Sequence, residues 1–327
     1  MRINNKLNIK ILDKILKLRY EKQPKLRKIK KKLLSRQIAY KDIIDQESRN
    51  YDNDLLDETE KSRWDRQIRH PLINQMKIKN AKIVVFGCGG IGSNVLLGLV
   101  YAGVYNFKIL DFDKINYSNL NRQTLYTPKD VNNLKIDKAK ERLSKINPEV
   151  KVDTFNMEIY YPLDQDIYKI EEKNYSKEVL LIDNLIKWAD YIVIALDYFG
   201  SPYLINDLCI KNKKPFYWGG VNHFLGDLFN YDPNNNSACL RCIFGKTDFI
   251  NKTQFLRYKT KEDSFKGVNL GTTVIVTGNL ISELIIRDIC SIKNPFHGNY
   301  LIYDAYNFEI INIPIERDSN CICQNLI

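Results

Sequence analysis

Short apolar runs and longer helical stretches alternate along the chain from residue 82 onwards. Lys82–Phe86 and Phe107–Leu110 have the length and composition of buried strands, and the stretch between them predicts a helix that ends near Gly103. A strand, a helix and a second strand in this order predict a βαβ unit, in which the two strands are parallel and the crossover is right-handed.

The alternation continues towards the C-terminus. The turn signal Lys214-Pro215 follows a strand and a helix, and the next apolar runs predict one more strand with an antiparallel strand added after it. A long apolar helix and two late strands complete the pattern. The predicted segments are strands at Tyr191–Leu196, Phe216–Trp218, Phe224–Asn230, Tyr300–Tyr303 and Phe308–Ile313, and a helix at Val274–Cys290. The sequence therefore predicts an α/β domain with a mixed, mainly parallel sheet.

The N-terminal part of the chain has a different pattern. Apolar residues recur in residues 1–50 at spacings of three and four, which predicts helix, and Pro24 separates two helical stretches. Residues 51–62 are acidic and polar, which is typical of a linker. We therefore predict a basic helical extension at 1–50, a polar linker at 51–62 and the α/β domain at 63–327.

The N-terminal extension accounts for the net positive charge of the chain. The net charge of +11 arises because residues 1–36 hold fourteen Lys and Arg against two acids, while the rest holds thirty-six bases and thirty-seven acids. We expect the extension to pack on the domain or on a partner subunit, with an acidic partner or nucleic acid as the alternative. The domain itself shows no sign of a basic groove for nucleic acid. The chain has no secretory signal and no apolar run near the roughly 18 residues of a membrane span, so we expect a cytoplasmic protein without membrane contact.

A glycine-rich turn follows the first predicted strand. Residues 87–92 read GCGGIG and open a helix, so their backbone amides can meet a phosphate group at the positive end of that helix. Asp111 ends the next strand, where a carboxylate can accept hydrogen bonds from ribose hydroxyls. These features predict a nucleotide site, and alone they also suit a nicotinamide or flavin dehydrogenase.

The segment after this aspartate is more specific. Residues 111–123 read DFDKINYSNLNRQ, and Lys135 follows Arg122 by thirteen residues. With RWDRQ at 63–67 and ALD at 195–197, the pattern resembles the signatures of the ThiF/MoeB/HesA superfamily, the adenylyltransferases related to ubiquitin-activating enzymes. A dehydrogenase has no evident need for an arginine and a lysine beside the nucleotide. An enzyme that releases pyrophosphate does, because fixed cations stabilise the growing negative charge.

The resemblance implies a Rossmann-like adenylation fold, a homodimer and a role for each matching position. Gly89 and Gly92 would contact phosphates, Asp111 the ribose, Asp197 would hold Mg²⁺, and Arg66 would reach the active site of the neighbouring subunit. The implied catalytic residues are Arg66, Arg122, Lys135 and Asp197. The implied ATP-binding residues are Gly87, Gly89, Gly90, Gly92, Asp111, Asp113, Asn119, Arg122, Gln123 and Lys135.

Four of the seven cysteines form two close pairs, Cys239/Cys242 and Cys321/Cys323. In a chain without a secretory signal, close pairs favour a metal site over a disulfide framework. The first pair matches the zinc pair of the resembled family, and the second lies where its other pair is expected but has one spacer residue instead of two. We predict a closed structural Zn²⁺ site that joins the C-terminal tail to the domain, with four reduced thiols as the alternative. The remaining cysteines, Cys88, Cys209 and Cys290, are predicted to be buried apolar side chains.

Residues 243–289 contain no cysteine. Family members that form a thioester on their own thiol usually carry it in this crossover segment, so we expect the chemistry to stop at the adenylate or to pass it to an incoming nucleophile. The predicted activity is Mg-ATP-dependent adenylation of a carboxylate with release of pyrophosphate. Among subgroups, the resemblance is closest to the microcin-peptide adenylyltransferase MccB.

The sequence leaves the carboxylate open. It can belong to a ubiquitin-fold sulfur carrier, as for MoeB and ThiF, to a peptide, or to a small molecule in cofactor biosynthesis. A non-catalytic scaffold subunit is a further alternative, which the complete set of nucleotide-site residues disfavours.

Overall fold

The computed structural model describes residues 53–160, 167, 170–196, 200–235, 237–244, 268–294 and 296–325. The predicted extension at 1–50, the magnesium ligand Asp197 and the crossover residues 245–267 lie outside these ranges. None of the described helices combines the length and the apolar character that crossing a membrane requires.

A single mixed sheet organises the fold. Its strands are β1 Lys82–Phe86, β2 Asn106–Leu110, β3 Lys151–Phe155, β4 Tyr191–Ile194, β5 Phe216–Asn222, β6 Leu225–Tyr231, β7 Asn299–Asp304 and β8 Glu309–Pro314. They lie in the order β3-β2-β1-β4-β5-β6-β7-β8. Neighbours from β3 to β5 are parallel, and neighbours from β5 to β8 are antiparallel. The predicted α/β class and mixed sheet are confirmed.

Helices cover both faces of the sheet. They are α1 Glu58–Arg63, α2 Asp65–Ile68, α3 Gln75–Asn80, α4 Gly90–Ala102, α5 Lys135–Ile146, α6 Lys177–Trp188, α7 Gly200–Lys211, α8 Leu240–Phe244 and α9 Gly271–Ile289. The apolar core on one face contains α4, α5 and α9, and the core on the other face contains α6, α7 and α8. Val85 of β1 faces the first core and Val84 the second, because successive strand residues point to opposite faces. Burial on both faces explains why β1 and β4, in the middle of the parallel part of the sheet, read as almost continuous apolar runs.

The structure differs from the sequence prediction at three segments. β5 continues to Asn222 through two glycines, which have low strand propensity but pair in register with β6. β3 was not predicted, because it is an edge strand with exposed polar positions. Part of the segment predicted as a linker forms α1: Asp57 caps this helix, and buried Glu60 accepts a hydrogen bond from the Tyr105 hydroxyl at 2.7 Å.

Candidate active site

The turn between β1 and α4 depends on two glycines that lack room for a side chain. Gly87 has φ +97°, and a Cβ atom there would lie 2.3 Å from the Ala195 carbonyl oxygen. A Cβ atom on Gly92 would lie 1.8 Å from the Gly87 carbonyl oxygen. The turn can therefore close only with glycine at these positions, and closing it directs the first free amides of α4 away from the sheet.

A cavity of about 520 Å³ opens at this end of the sheet, beyond the carboxyl ends of β1, β2 and β4. The predicted ATP-binding residues that line it are Gly89, Gly90, Asp113, Asn119, Arg122, Gln123 and Lys135. Gly87, Gly92 and Asp111 are not part of the lining. The structure thus brings seven of the ten predicted positions to one cavity.

The two predicted cations that line the cavity are each held by neighbouring groups. Lys135 begins α5, its side chain is 6% exposed, and its Nζ lies 2.6 Å from Asp113 Oδ2. Arg122 lies against Gly90 and donates from Nη1 to the Ser118 carbonyl and to Asn121 Oδ1, both at 2.9 Å. Both cations are therefore held in place before any ligand binds, which is the arrangement that electrostatic stabilisation requires.

Gln123 supplies a polar atom that still requires a partner. Its side chain is only 3% exposed, and its Oε1 has no hydrogen-bond partner among the described residues. A buried acceptor left unpaired costs about 1–3 kcal/mol, so this wall favours a ligand that donates a hydrogen bond. An ionised triphosphate has no hydrogen-bond donor, so the contact of Gln123 with the triphosphate that the resemblance implies stays a prediction.

The Asp111 carboxylate forms hydrogen bonds with the backbone around the glycine turn. Its carboxylate accepts hydrogen bonds from the backbone N–H of Cys88 at 2.6 Å and of Asp113 at 2.8 Å. Burial raises the pKa of Asp111, and the nearby Lys135 charge opposes that rise. Asp111 therefore joins the ends of β1 and β2, while its predicted contact with ribose stays a prediction. Burial also raises the pKa of the Cys88 thiol, which makes this cysteine a poor nucleophile.

Arg66 lies far from the cavity of its own chain. It is exposed on α2, and the neighbouring Gln67 donates from Nε2 to the carbonyl oxygen of Ala102, the last residue of α4, at 2.8 Å. The cavity lies at the other end of α4, and a helix of 13 residues is about 20 Å long. Asp197 lies outside the described residues, although the two residues before it, Ala195 and Leu196, line the cavity.

The cavity also has a wall that the sequence did not predict. Trp218, Gly220 and Asn222 of β5 line it together with Asp227, which pairs with Gly220 across β5 and β6 and is 5% exposed. Gly219 and Val221 line it as well, so every residue from 218 to 222 reaches the cavity and strand alternation alone would not have identified this wall. Phe244 of α8 completes this side.

The four paired cysteines form one cluster, with all four sulfur atoms within 4.8 Å of one another. The Sγ atoms of Cys239 and Cys242 are 3.7 Å apart, as are those of Cys239 and Cys321, and those of Cys242 and Cys323 are 3.6 Å apart. Tetrahedral Zn²⁺ with sulfur at about 2.3 Å places its ligands roughly 3.8 Å from one another, whereas a disulfide bond is about 2.0 Å long. The cluster therefore fits Zn²⁺, and a 3₁₀ turn at Ile322–Asn325 accommodates the single spacer residue. Cys88, Cys209 and Cys290 are buried as predicted.

The ThiF family model matches residues 64–324. The chain belongs to the ThiF family. This confirms the superfamily that the motifs indicated.

Similar proteins place this ThiF-family chain among named adenylyltransferases. A sulfur carrier protein adenylyltransferase of Thermus thermophilus is 30% identical over 269 residues, which cover 80% of this chain and 90% of that protein. The adenylyltransferase and sulfurtransferase MOCS3 of Culex quinquefasciatus is 28% identical over 82% of this chain, which spans 56% of the longer relative. The crystal structure of E. coli MccB with ATP has a TM-score of 0.63 at 24% identity, over 80% of this chain and 74% of MccB. The likeness to MccB shows a shared fold.

Proposed function

We propose that this ThiF-family chain is an adenylyltransferase that uses Mg-ATP to convert a carboxylate into an acyl-adenylate and releases pyrophosphate. The observation that carries the proposal is the grouping of Arg122 and Lys135 with the free amides of the glycine turn around one cavity. Fixed positive groups of this kind stabilise a transition state in which negative charge grows on the leaving pyrophosphate.

The reaction needs no general base, because a carboxylate is ionised at neutral pH. A carboxylate oxygen attacks the α-phosphorus of ATP, and the bond from that phosphorus to the oxygen that bridges it to the β-phosphorus breaks. Pyrophosphate leaves with the electron pair. In this proposal Lys135 and Arg122 act on the phosphates from the positions described above, and Asn119 and Gln123 orient the nucleotide.

Asp197 is the proposed ligand of the Mg²⁺ that accompanies ATP. The position follows from its place in the sequence, directly after the cavity residues Ala195 and Leu196. The ion would supply further positive charge to the phosphates. The cysteine cluster is the proposed structural Zn²⁺ site, and its fit to tetrahedral sulfur geometry supports this assignment.

A protein carrier is the favoured source of the carboxylate. The T. thermophilus relative, of which this chain covers 90%, is named a sulfur carrier protein adenylyltransferase. A peptide or a small carboxylic acid suits the same chemistry. The absence of cysteine from residues 243–289 supports a reaction without a thioester in this segment.

The test is exchange of labelled pyrophosphate into ATP, with Mg²⁺ and a panel of a ubiquitin-fold carrier, peptides and small carboxylic acids. We expect exchange that depends on one panel member. Lys135→Ala and Arg122→Ala should each reduce it at least about 100-fold, because each removes a charge that acts in the transition state. Lys140→Ala and Arg142→Ala are matched controls, since both residues are exposed on α5 outside the cavity. Exchange at the wild-type rate in the first two variants would reject this active site.

A further inference from the structure

Helix α8 connects the cysteine cluster to the wall of the cavity. Cys242 lies within this five-residue helix, and Phe244 at its end lines the cavity. The Phe244 ring packs edge-on against Trp218 at 5.5 Å and against Tyr300 at 6.1 Å between ring centroids. Five helical residues span only about 7 Å, so the position of the cluster fixes the position of this aromatic wall.

Helix α7 holds the start of α8 through buried polar groups. Asn206 accepts a hydrogen bond at Oδ1 from the backbone N–H of Leu240 at 2.9 Å. Arg241 donates to Asp207 from both Nε, at 2.8 Å, and Nη2, at 2.7 Å, and its guanidinium lies 4.7 Å above the Tyr203 ring. Asp207 is fully buried, so this two-bond contact orients Arg241 more tightly than a surface ion pair would.

The same helix reaches the cavity at its other end. Pro202, in the first turn of α7, lines the cavity, whereas Asn206 and Asp207 lie one to two turns further along. Helices α7 and α8 therefore both run between the cluster and the cavity, and Arg241 with Asp207 joins them. Neither helix carries Arg122 or Lys135, so a change in this wall leaves the phosphate side of the cavity in place.

Charge gives Arg241 a second connection to the cluster. Four thiolates around Zn²⁺ carry a net charge of −2, and Arg241 stands between the first two ligands in the sequence. The Tyr203 ring beneath its guanidinium is also within electrostatic range of Cys239 and Cys321. A filled cluster adds negative charge near this place, which favours keeping the Arg241 charge beside Asp207.

We propose that Arg241 and Asp207 are positioning residues that transmit the metal occupancy of the cysteine cluster to the aromatic wall of the cavity. This rests on the proposed function, because it assigns that wall to the carboxylate substrate and the opposite wall to ATP. Loss of the metal ion, or of the Arg241–Asp207 contact, releases Phe244 from Trp218 and weakens binding of the carboxylate while binding of ATP is retained.

The test follows metal content, the emission of Trp218 and the two KM values on the full-length protein. Trp218 emission is obtained by comparison with Trp218→Phe, since the chain holds three tryptophans. During titration with a chelator, zinc release and the change in Trp218 emission should coincide. Asp207→Asn should retain zinc, show the emission of the metal-free protein, and raise the carboxylate KM about tenfold with an ATP KM within about twofold of wild type.

Arg241→Lys keeps the charge and loses the two-bond geometry, so its emission and carboxylate KM should lie between those of wild type and Asp207→Asn. It also serves as the second variant if Asp207→Asn fails to fold. Glu283→Gln breaks the exposed Arg287–Glu283 pair on α9 and is the matched control, expected to change none of these readouts.

Zinc release without a change in Trp218 emission would overturn the positioning role. So would wild-type emission and carboxylate KM in both Asp207→Asn and Arg241→Lys, or a rise confined to the ATP KM. Failure of the wild-type protein to exchange pyrophosphate with any carboxylate would instead count against the proposed function. The emission and zinc-release measurements would still decide the role of Arg241 and Asp207, because neither depends on turnover.

Discussion

The glycines of the nucleotide turn differ in what surrounds each of them. Gly92 packs against the Gly87 carbonyl, whereas an added Cβ atom on Gly89 would have only Gln123 Nε2 nearby, at 3.8 Å. Gly89 lines the cavity and Gly92 does not. The same residue type therefore closes the turn at one position and leaves space for a ligand at the other.

This difference predicts unequal effects on stability for two alanine substitutions. Gly92→Ala should lower the free energy of unfolding by more than about 3 kcal/mol, because the methyl group would overlap a backbone oxygen that cannot move without opening the turn. Gly89→Ala should cost less than about 1 kcal/mol, and its methyl group would occupy the phosphate side of the cavity. Thermal or denaturant unfolding and the KM for ATP measure the two effects.

Gly89→Ala is thus expected to keep the fold and raise the KM for ATP at least about tenfold, since a phosphate could no longer approach the backbone amides. Equal stability of the two variants would show that the turn adjusts to a side chain at position 92. A wild-type KM in Gly89→Ala would remove the phosphates from this part of the turn.

Sequence reasoning at the residue scale succeeded where a motif groups residues that are close in the chain. Asn119, Arg122 and Gln123 lie within five positions, and all three reach the cavity. Trp218 and Asp227 reach it from strands more than ninety residues further on. Their approach depends on the packing of β5 and β6 beside β4, which no local pattern reveals.

At the scale of elements, a cluster of titratable groups surrounds the end of α9, at the end of the strands opposite the cavity. His297 Nε2 lies 3.1 Å from Asp288 Oδ1, and Nδ1 lies 3.6 Å from Asp232 Oδ2. The Tyr217 hydroxyl also donates to Asp288. The hydrogen bond to Asp288 raises the pKa of His297. When the ring is protonated, it ties the end of α9 to the segments that follow β6 and precede β7.

This contact predicts how stability depends on pH. The folded pKa of His297 is raised above the unfolded value of about 6.5, so the stabilisation is complete below that pH and is lost as the pH rises through the folded pKa. His297→Gln should remove this pH-dependent stabilisation. The difference in unfolding free energy between wild type and His297→Gln should be larger at pH 6 than at pH 9 by about 1 kcal/mol.

Unfolding curves collected from pH 5 to 9 measure this difference. Asp288→Asn should flatten the profile in the same way, and the double variant should add nothing further to the flattening. Parallel profiles for wild type and His297→Gln across the range would mean that the imidazole gains no net stabilisation from its carboxylate partners.

The strands could be predicted from the sequence where both of their faces are buried. β1 and β4 are almost entirely apolar, and three of the five residues of β2 are apolar, so a short run sufficed to identify each of them. β3 lies at the edge of the sheet and has polar residues at alternate positions, so its sequence alone does not identify it as a strand. β5 contains two adjacent glycines, and its full length is determined by its pairing with β6. The long apolar helix was predicted from Val274, although α9 begins at Gly271.

At the scale of the whole molecule, the predicted role of Arg66 in ATP binding would require a second copy of the chain. Arg66 stands at the far end of α4 from the glycine turn, about 20 Å along the helix, which exceeds the reach of an arginine side chain. If this arginine acts on ATP, it acts on the ATP of a partner subunit. A dimer with two-fold symmetry would then contain two such sites, each completed by the other subunit.

Subunit complementation tests this arrangement. Arg66→Ala and Lys135→Ala are each expected to be inactive, but a heterodimer of the two holds one site with an intact Lys135 and an intact partner Arg66. When equal amounts of the two variants exchange subunits at random, half of the dimers are mixed, and each mixed dimer has one of its two sites restored. About a quarter of the wild-type pyrophosphate-exchange activity should therefore return.

The control is a mixture of Lys135→Ala with Arg122→Ala. Lys135 and Arg122 of one site come from the same chain, so each site of the mixed dimer still lacks one of these two cations. Recovery with the first mixture and none with the second places Arg66 across the subunit boundary. No recovery in the first mixture, once subunit exchange has been demonstrated with tagged chains, would confine the active site to one subunit and leave Arg66 without a role in it.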